Sequence, residues 1–203
     1  MFAVPRRAVL GFVAAMASAR ALGQNLTSRP RVRLETTAGV IVLELAAGKA
    51  PITTANFLRY VDNKRLDGAS FYRAMKNAGA PQTGLIQGGL RNDPAKTLPP
   101  IAHESTSQTG LSHKDGTISM ARYAPGSAAS EFFICVGDQP YLDADPSAPG
   151  DNLGFAAFGG VTEGMDVARK ILASPVSATQ GEGAMKGQML DPVVAIIEAR
   201  RAG

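Results

Sequence analysis

The chain has one cysteine and two histidines in 203 residues. A lone cysteine excludes an internal disulfide, so the core must hold the fold unaided, and a chain of this length can bury a core large enough to do so. Cys135 lies in the apolar run EFFICVG with no basic partner nearby, and it reads as a small buried hydrophobe, not a thiolate nucleophile. His103 and His113 stand ten residues apart in polar stretches, too sparse a set for a metal site. The serines of APGSAAS lack the Gly-x-Ser-x-Gly elbow of a hydrolase. No cofactor motif is present.

A true excess of positive charge is missing as well. The formal net charge is +4, from 21 basic and 17 acidic residues. Arg6, Arg7 and Arg20 fall in the first 23 residues, which hold no acid; without them, 18 basic residues face 17 acidic ones. No basic stripe remains for nucleic acid. Those 23 residues have their own layout: a basic start, an apolar run from Val9 to Ala17, then small residues around Ala17-Ser18-Ala19 and Ala21-Leu22-Gly23. The run is shorter than the ~20 residues of a membrane span. It predicts a cleaved signal peptide over residues 1–23 and export of the rest, with no membrane association after cleavage. Arg6-Arg7 loosely matches a twin-arginine signal.

What the chain does have is glycine and proline, 22 and 13, with 45% hydrophobic and 19% charged residues. That is a globular composition rich in turns, suited to a β fold. VRLETTAGVIVLEL reads as two strands about a turn at Thr37-Ala38-Gly39, with Ile41, Leu43 and Leu45 on one face. PITTANFLRYVDNKR reads as a helix with Pro51 in its first turn and Ala55, Phe57, Leu58, Tyr60 and Val61 apolar. ASFYRAM, GLIQGG, GTISMAR, EFFICV, GFAAFGGV and DPVVAIIEAR read as strands, and TEGMDVARKILAS as a second helix carrying Met165, Ala168 and Leu172. Two helices among about eight strands predict a mainly β fold, an antiparallel β-barrel capped by helices.

The ordered set PITTANFLRYV, FYRAM, LIQGG, GTISMAR, SEFFICVG, YLD and FAAFGGVTEGMDV resembles the cyclophilin family of peptidyl-prolyl cis-trans isomerases, in a bacterial exported form. The likeness spans residues 31–198, within a single domain expected over residues 31–200. It implies an eight-stranded antiparallel barrel with two capping α-helices, acting on proline-containing peptides and on unfolded or partly folded protein clients. A monomer is expected, with no cofactor, no metal and no nucleic acid, and the family's exported members suggest the periplasm.

The chemistry implied explains the scarcity of catalytic side chains. Rotation about an X–Pro bond meets a barrier of about 18–20 kcal/mol and takes tens to hundreds of seconds unaided. No covalent bond breaks; the amide loses resonance and the prolyl nitrogen regains a lone pair. An apolar slot and fixed donors suffice. A guanidinium, always charged and with several donors in one plane, suits the task.

By resemblance, Arg73 in FYR is the catalytic arginine, usually found in Phe-His-Arg, and Gln87 in LIQGG orients it and touches the substrate backbone. Leu85, Phe133, Leu142 and Phe155 correspond to the proline pocket, Phe155 standing where a histidine is common. Ala121 and Arg122 match an Ala-Asn pair that holds the substrate backbone. Phe132 and Ile134 should face the barrel interior. Tyr141 replaces a tryptophan, Gly84 a pocket phenylalanine, and Glu131 a glutamine. The stretches 74–84 and 144–154 are expected to be enlarged loops. Glu131 is expected to be partly exposed and to pair with Arg73 or Arg122, tuning the substrate preference against acidic residues. The Gly84 and Glu131 departures favour one alternative, a non-catalytic peptide-binding or chaperone module on the same barrel; a small-molecule-binding barrel is a third.

Overall fold

The structure, a computed structural model, describes residues 29–203; the expected signal peptide over residues 1–23 lies outside them. Its strands are β1 (Arg31–Thr36), β2 (Gly39–Leu45), β3 (Ser70–Asn77), β4 (Ala80–Gly89), β5 (Thr117–Met120), β6 (Phe132–Val136), β7 (Ala156–Glu163), β8 (Val176–Ser177) and β9 (Met189–Ala202). The sheet order is β1-β2-β7-β5-β6-β4-β3-β9-β8, and pairing of β1 with β9 closes it. Eight strands therefore form a closed antiparallel barrel, and the two-residue β8 is an appendage on β9. Closure removes the exposed edges that an open sheet would present.

Alternation along the strands sorts side chains between two faces. Ile41, Leu43 and Leu45 are fully buried on the inner face of β2, and Phe132 and Ile134 on that of β6. Helix α1 (Pro51–Asp62) adds Phe57, Leu58, Tyr60 and Val61 to this core, and helix α3 (Met165–Ala173) adds Ala168, Ile171 and Leu172. At the centre, Phe57 meets Phe132 edge-on at 5.4 Å and Phe71 meets Phe132 edge-on at 5.7 Å, the offset geometry that aromatic quadrupoles favour. Ala55, expected on the apolar face of α1, is exposed; the buried positions are Thr53, Thr54 and Asn56 along with the large hydrophobes. A distant carboxylate explains the buried threonine at 53. Glu104 accepts from Ile52 N at 3.1 Å and from Thr53 N and Oγ1 at 2.7 and 2.6 Å. It thereby serves the open N–H groups of the helix start. A one-turn helix, α2 (Thr106–Thr109), capped by Ser105, follows it and was not foreseen.

The stretch between Arg73 and Gln87 is not an enlarged loop. Strands β3 and β4 run through it and meet at a tight turn, with Asn77 opposite Ala80. Gly84 belongs to this hairpin: its φ is +147°, and a Cβ there would sit 1.9 Å from the Met75 carbonyl oxygen. No phenylalanine fits at that position. Residues 144–154 are irregular, as expected.

A second departure matters more for the site. The β3–β4 register passes from Phe71 opposite Gly88 to Arg73 opposite Gln87, leaving Tyr72 as an extra residue. Phe71 and Ala74 both belong to the inner core. This β-bulge turns two successive side chains, Tyr72 and Arg73, to the outer face, which strict alternation forbids.

Candidate active site

On the outer face of β4 and β6, Leu85, Phe133, Cys135 and Leu142 form a second apolar cluster, separate from the core, with Met75, Ala121 and Phe155 against it. The cluster floors a pocket of about 300 Å³ whose walls include Tyr72, Arg73, Gln87, Arg122 and Glu131. Phe155 stands edge-on to Phe133 at 5.5 Å. Cys135 is wholly buried under this floor, and burial pushes its thiol up to about 12, so it stays protonated.

A chain of hydrogen bonds crosses the pocket wall. Tyr72 Oη donates to Glu131 Oε2 at 2.5 Å, Gln87 Nε2 donates to Tyr72 Oη at 2.8 Å, and Arg73 Nη1 donates to Gln87 Oε1 at 2.8 Å. Arg73 Nε donates to Gln188 Oε1 at 2.9 Å. Two of the five guanidinium N–H donors are thus engaged, and the others have no partner among the described residues. Burial lowers the Arg73 pKa, yet a guanidinium remains charged at any working pH. Burial first, then the Glu131 carboxylate, pushes the Tyr72 phenol far above its usual range. Tyr72 is therefore always a donor to Glu131.

Glu131 is not where its sequence position suggested. It is 8% exposed and pairs with neither Arg73 nor Arg122. Besides Tyr72 it accepts from Ser130 Oγ at 2.9 Å, Leu90 N at 3.0 Å and Asn92 N at 3.3 Å. Gly89 makes the approach possible, since a Cβ there would lie 2.7 Å from Glu131 Oε2. Burial drives the difference: an enclosed carboxylate must collect donors, and the bulge and the following turn supply them.

Arg122 is engaged within the fold. Its side chain is 6% exposed and forms a two-point pair with Asp151 at 2.7 and 2.8 Å. It also donates to Gly154 O and lies 5.3 Å over the Phe155 ring. One side chain thus ties the 144–154 loop to the pocket wall. Tyr141, on a 3₁₀ turn over Pro140–Leu142, is 61% exposed and stands outside the wall.

Behind Phe133 lies a polar trio, two of whose members, His113 and Ser119, are buried while Asp143 is half-buried. The His113 ring stacks on Phe133 at 5.8 Å. Its Nδ1 faces Asp143 Oδ1 at 2.6 Å and its Nε2 faces Ser119 Oγ at 2.9 Å. The order Ser-His-Asp invites comparison with a hydrolase triad. Ser119 is fully buried and does not line this pocket, so the trio is a support for the pocket wall. Among the described residues there is no cluster of three or more metal-ligating side chains.

The structure therefore gathers Arg73, Gln87, Leu85, Ala121, Arg122, Glu131, Phe133, Leu142 and Phe155 around one pocket and leaves Tyr141 outside it. Sequence reasoning missed Tyr72, Gln188 and Met185, the last a wall residue on a 3₁₀ turn over Gly183–Met185. For Tyr72 a signal was available: tyrosine replaces the usual histidine of Phe-His-Arg in the same chain in which glutamate replaces the usual glutamine at position 131, and the two bond to each other.

A family model described as cyclophilin type peptidyl-prolyl cis-trans isomerase/CLD matches residues 31–199. A peptidyl-prolyl cis-trans isomerase of Acinetobacter baylyi is 38% identical over 164 residues, 79% of this chain and 78% of that one. Peptidyl-prolyl cis-trans isomerase B of Escherichia coli is 35% identical over 144 residues, 69% of this chain and 82% of that one. A crystal structure of a Cryptosporidium parvum cyclophilin type isomerase aligns with a TM-score of 0.68 at 20% identity, covering 87% of this chain and 99% of that one. The same protein in the presence of the dipeptide Ala-Pro aligns with a TM-score of 0.66 at 21% identity, covering 85% and 99%. The chain belongs to the cyclophilin family. Its activity is that of a peptidyl-prolyl cis-trans isomerase.

The buried histidine sets a pH dependence. Burial lowers the His113 pKa, and Asp143 opposes this only in part. The folded state therefore favours the neutral ring, and the unfolded chain binds the proton more readily. Stability contributed this way is complete above the unfolded value, about 6.5, and is lost as pH falls through the folded value. The lowered aspartates, such as Asp62 and Asp67, begin to lose theirs only near the ordinary carboxylate range, about 4. Unfolding free energies from urea titrations should drop between pH 7.5 and 5.5 in the wild type and drop less in His113→Gln. Equal drops would refute the assignment.

Proposed function

We propose that the apolar cluster is the slot for the substrate proline and that the free donors of Arg73 stabilise the twisted amide. The observation that carries this is the Arg73–Gln87 hydrogen bond at the edge of a pocket floored by Leu85, Phe133 and Leu142. A peptide whose prolyl ring fills the slot brings its X–Pro nitrogen to the guanidinium side. As the amide twists, its nitrogen regains basicity and accepts a charge-assisted hydrogen bond that the planar amide cannot accept. That interaction exists only in the transition state, so it lowers the barrier without tightening the ground state. Gln87 keeps the guanidinium in position and offers its amide group to the substrate backbone. Ala121 and Arg122 border the groove along which that backbone runs, with Arg122 acting through its backbone and through the loop it holds. Tyr72 and Glu131 position Gln87 without touching the reacting bond. The non-catalytic module loses one of its two motives, because Glu131 does not pair with Arg73.

The clients are proline-containing segments of unfolded or partly folded exported proteins, and the enzyme works as a monomer in the periplasm after losing residues 1–23. Support for the export comes from the layout of those residues.

In a protease-coupled assay on a short X–Pro peptide, Arg73→Ala should lower kcat/KM by about 10²–10³-fold, the range for losing one preorganised donor. Arg73→Lys should recover only part of it, since an ammonium lacks the planar fork. Near-wild-type turnover by a folded Arg73→Ala protein would end this assignment.

Tyr72→Phe keeps the ring and breaks the relay. It should lower kcat by up to about tenfold with KM little changed, and cost roughly 1–3 kcal/mol of stability for the unpaired groups left behind. An unchanged kcat would make Tyr72 a purely structural residue.

Export has a direct readout. Expressed from its full sequence in a Gram-negative host, the protein should be recovered by osmotic shock with a mass lacking about 23 residues. Recovery of the full-length mass from the cytoplasm alone would refute it.

A further inference from the structure

The pocket has an end that the proline slot does not use. It is polar, bordered by Tyr72, Arg91, Asn92, Tyr123 and Ser127. Resting on the reading of the apolar end as the proline slot, we propose that Arg91 makes this enzyme prefer clients with an acidic residue close to the isomerising proline, by taking that carboxylate at the polar end.

The backbone is arranged to present this side chain. Asp93 N bonds Leu90 O at 3.1 Å, closing a turn in which Arg91 and Asn92 have φ of 54° and 57°. Two successive positive values define a type I′ turn, whose first central position normally holds asparagine, aspartate or glycine. An arginine there is strained, and strain of this kind persists where the surroundings hold it in place. The holder is Glu131, whose Oε1 takes both Leu90 N and Asn92 N. The Arg91 guanidinium then lies 5.5 Å from the centre of the Tyr72 ring, a cation–π contact that aims it at the pocket mouth.

The charges decide the sign. Arg91 is exposed and makes no ion pair and no side-chain hydrogen bond among the described residues. Arg122 is already matched by Asp151. Glu131 is the one carboxylate in the wall, buried and bonded to four donors, and Arg73 and Arg91 outnumber it. A client carboxylate at this end meets an uncommitted planar fork able to bind it at two points. A client ammonium meets no free acid. This is opposite in sign to the preference expected when Glu131 was placed at the groove surface.

The test uses the full folded enzyme and X–Pro peptides carrying a single Glu or Lys at each position flanking the proline, beside an all-Ala reference. At low ionic strength, kcat/KM in the wild type should favour Glu over Lys by about 2–5-fold at one position or two neighbouring ones, the range of an exposed pair, and the ratio should shrink with added salt. The ratio should fall to about one in Arg91→Gly, which suits the positive φ and cannot fail through strain. It should reverse in Arg91→Glu and persist in Arg91→Lys. A wild type without a Glu/Lys ratio at any position, or a ratio that survives both Arg91→Gly and Arg91→Glu, overturns the proposal. Peptide affinities by calorimetry report the same ratio without turnover. Failure of the proline-slot reading would therefore appear separately, as no acceleration of the all-Ala peptide.

Discussion

A carboxylate taken out of water must be given donors, and around Glu131 that demand organises the whole site. Ser130 supplies one, the turn after Gly89 supplies two, and Tyr72 supplies the fourth. The direction of every later bond follows. Tyr72 must donate to the carboxylate, so its oxygen can only accept, and Gln87 turns its amide nitrogen toward it. The Gln87 carbonyl is left facing Arg73. A side-chain amide that could otherwise flip is held in one orientation by a charge two residues away along the relay. Because burial keeps the Tyr72 phenol protonated throughout the working range, the polarity of the relay does not change with pH.

The same demand accounts for two departures from the family pattern as one. Tyrosine in place of histidine beside the arginine, and glutamate in place of glutamine just before β6, form a single hydrogen-bonded unit. Exchanging either alone would leave a buried group without its partner, which costs more than the bond itself contributes. Gly84 is a different case. The positive φ and the nearby Met75 carbonyl require glycine, and the slot is completed by Leu85, Phe133, Leu142 and Phe155. Arg122 does for the 144–154 loop what Glu131 does for the turn at Arg91, tying an irregular segment to the wall at several points.

An enzyme of this kind needs little chemistry and much placement. No proton is transferred, so a buried neutral histidine can back the pocket without imposing its titration on the reaction, and a buried thiol can floor it without reacting. The donors that matter are few, and they act in a partly enclosed groove where fixed dipoles outperform mobile water.

Patterns of period two and three to four carried the barrel: Ile41, Leu43 and Leu45 alternate inward, and Phe132 and Ile134 part from Phe133 and Cys135, because a strand places neighbours on opposite faces whatever surrounds it. The ordered motifs likewise made Arg73, Gln87 and the apolar slot legible, since each residue type suits its task and sits within a few positions of a recognisable strand. What local pattern could not supply was any feature depending on residues far apart in the chain. Ala55 looks apolar but is exposed, because Glu104, 49 positions later, draws Thr53 inward instead. Tyr72 faces the site only through a bulge, set by pairing with β4. Gln188 reaches Arg73 across 115 residues of sequence. Glu131 looked like a surface charge beside two arginines, and only burial decided that it would bind Tyr72 and a strained turn. The sequence by itself determined the faces of the strands and the identity of the reacting groups. The tertiary structure decided which polar atoms lost water, and with that, which bonds had to form.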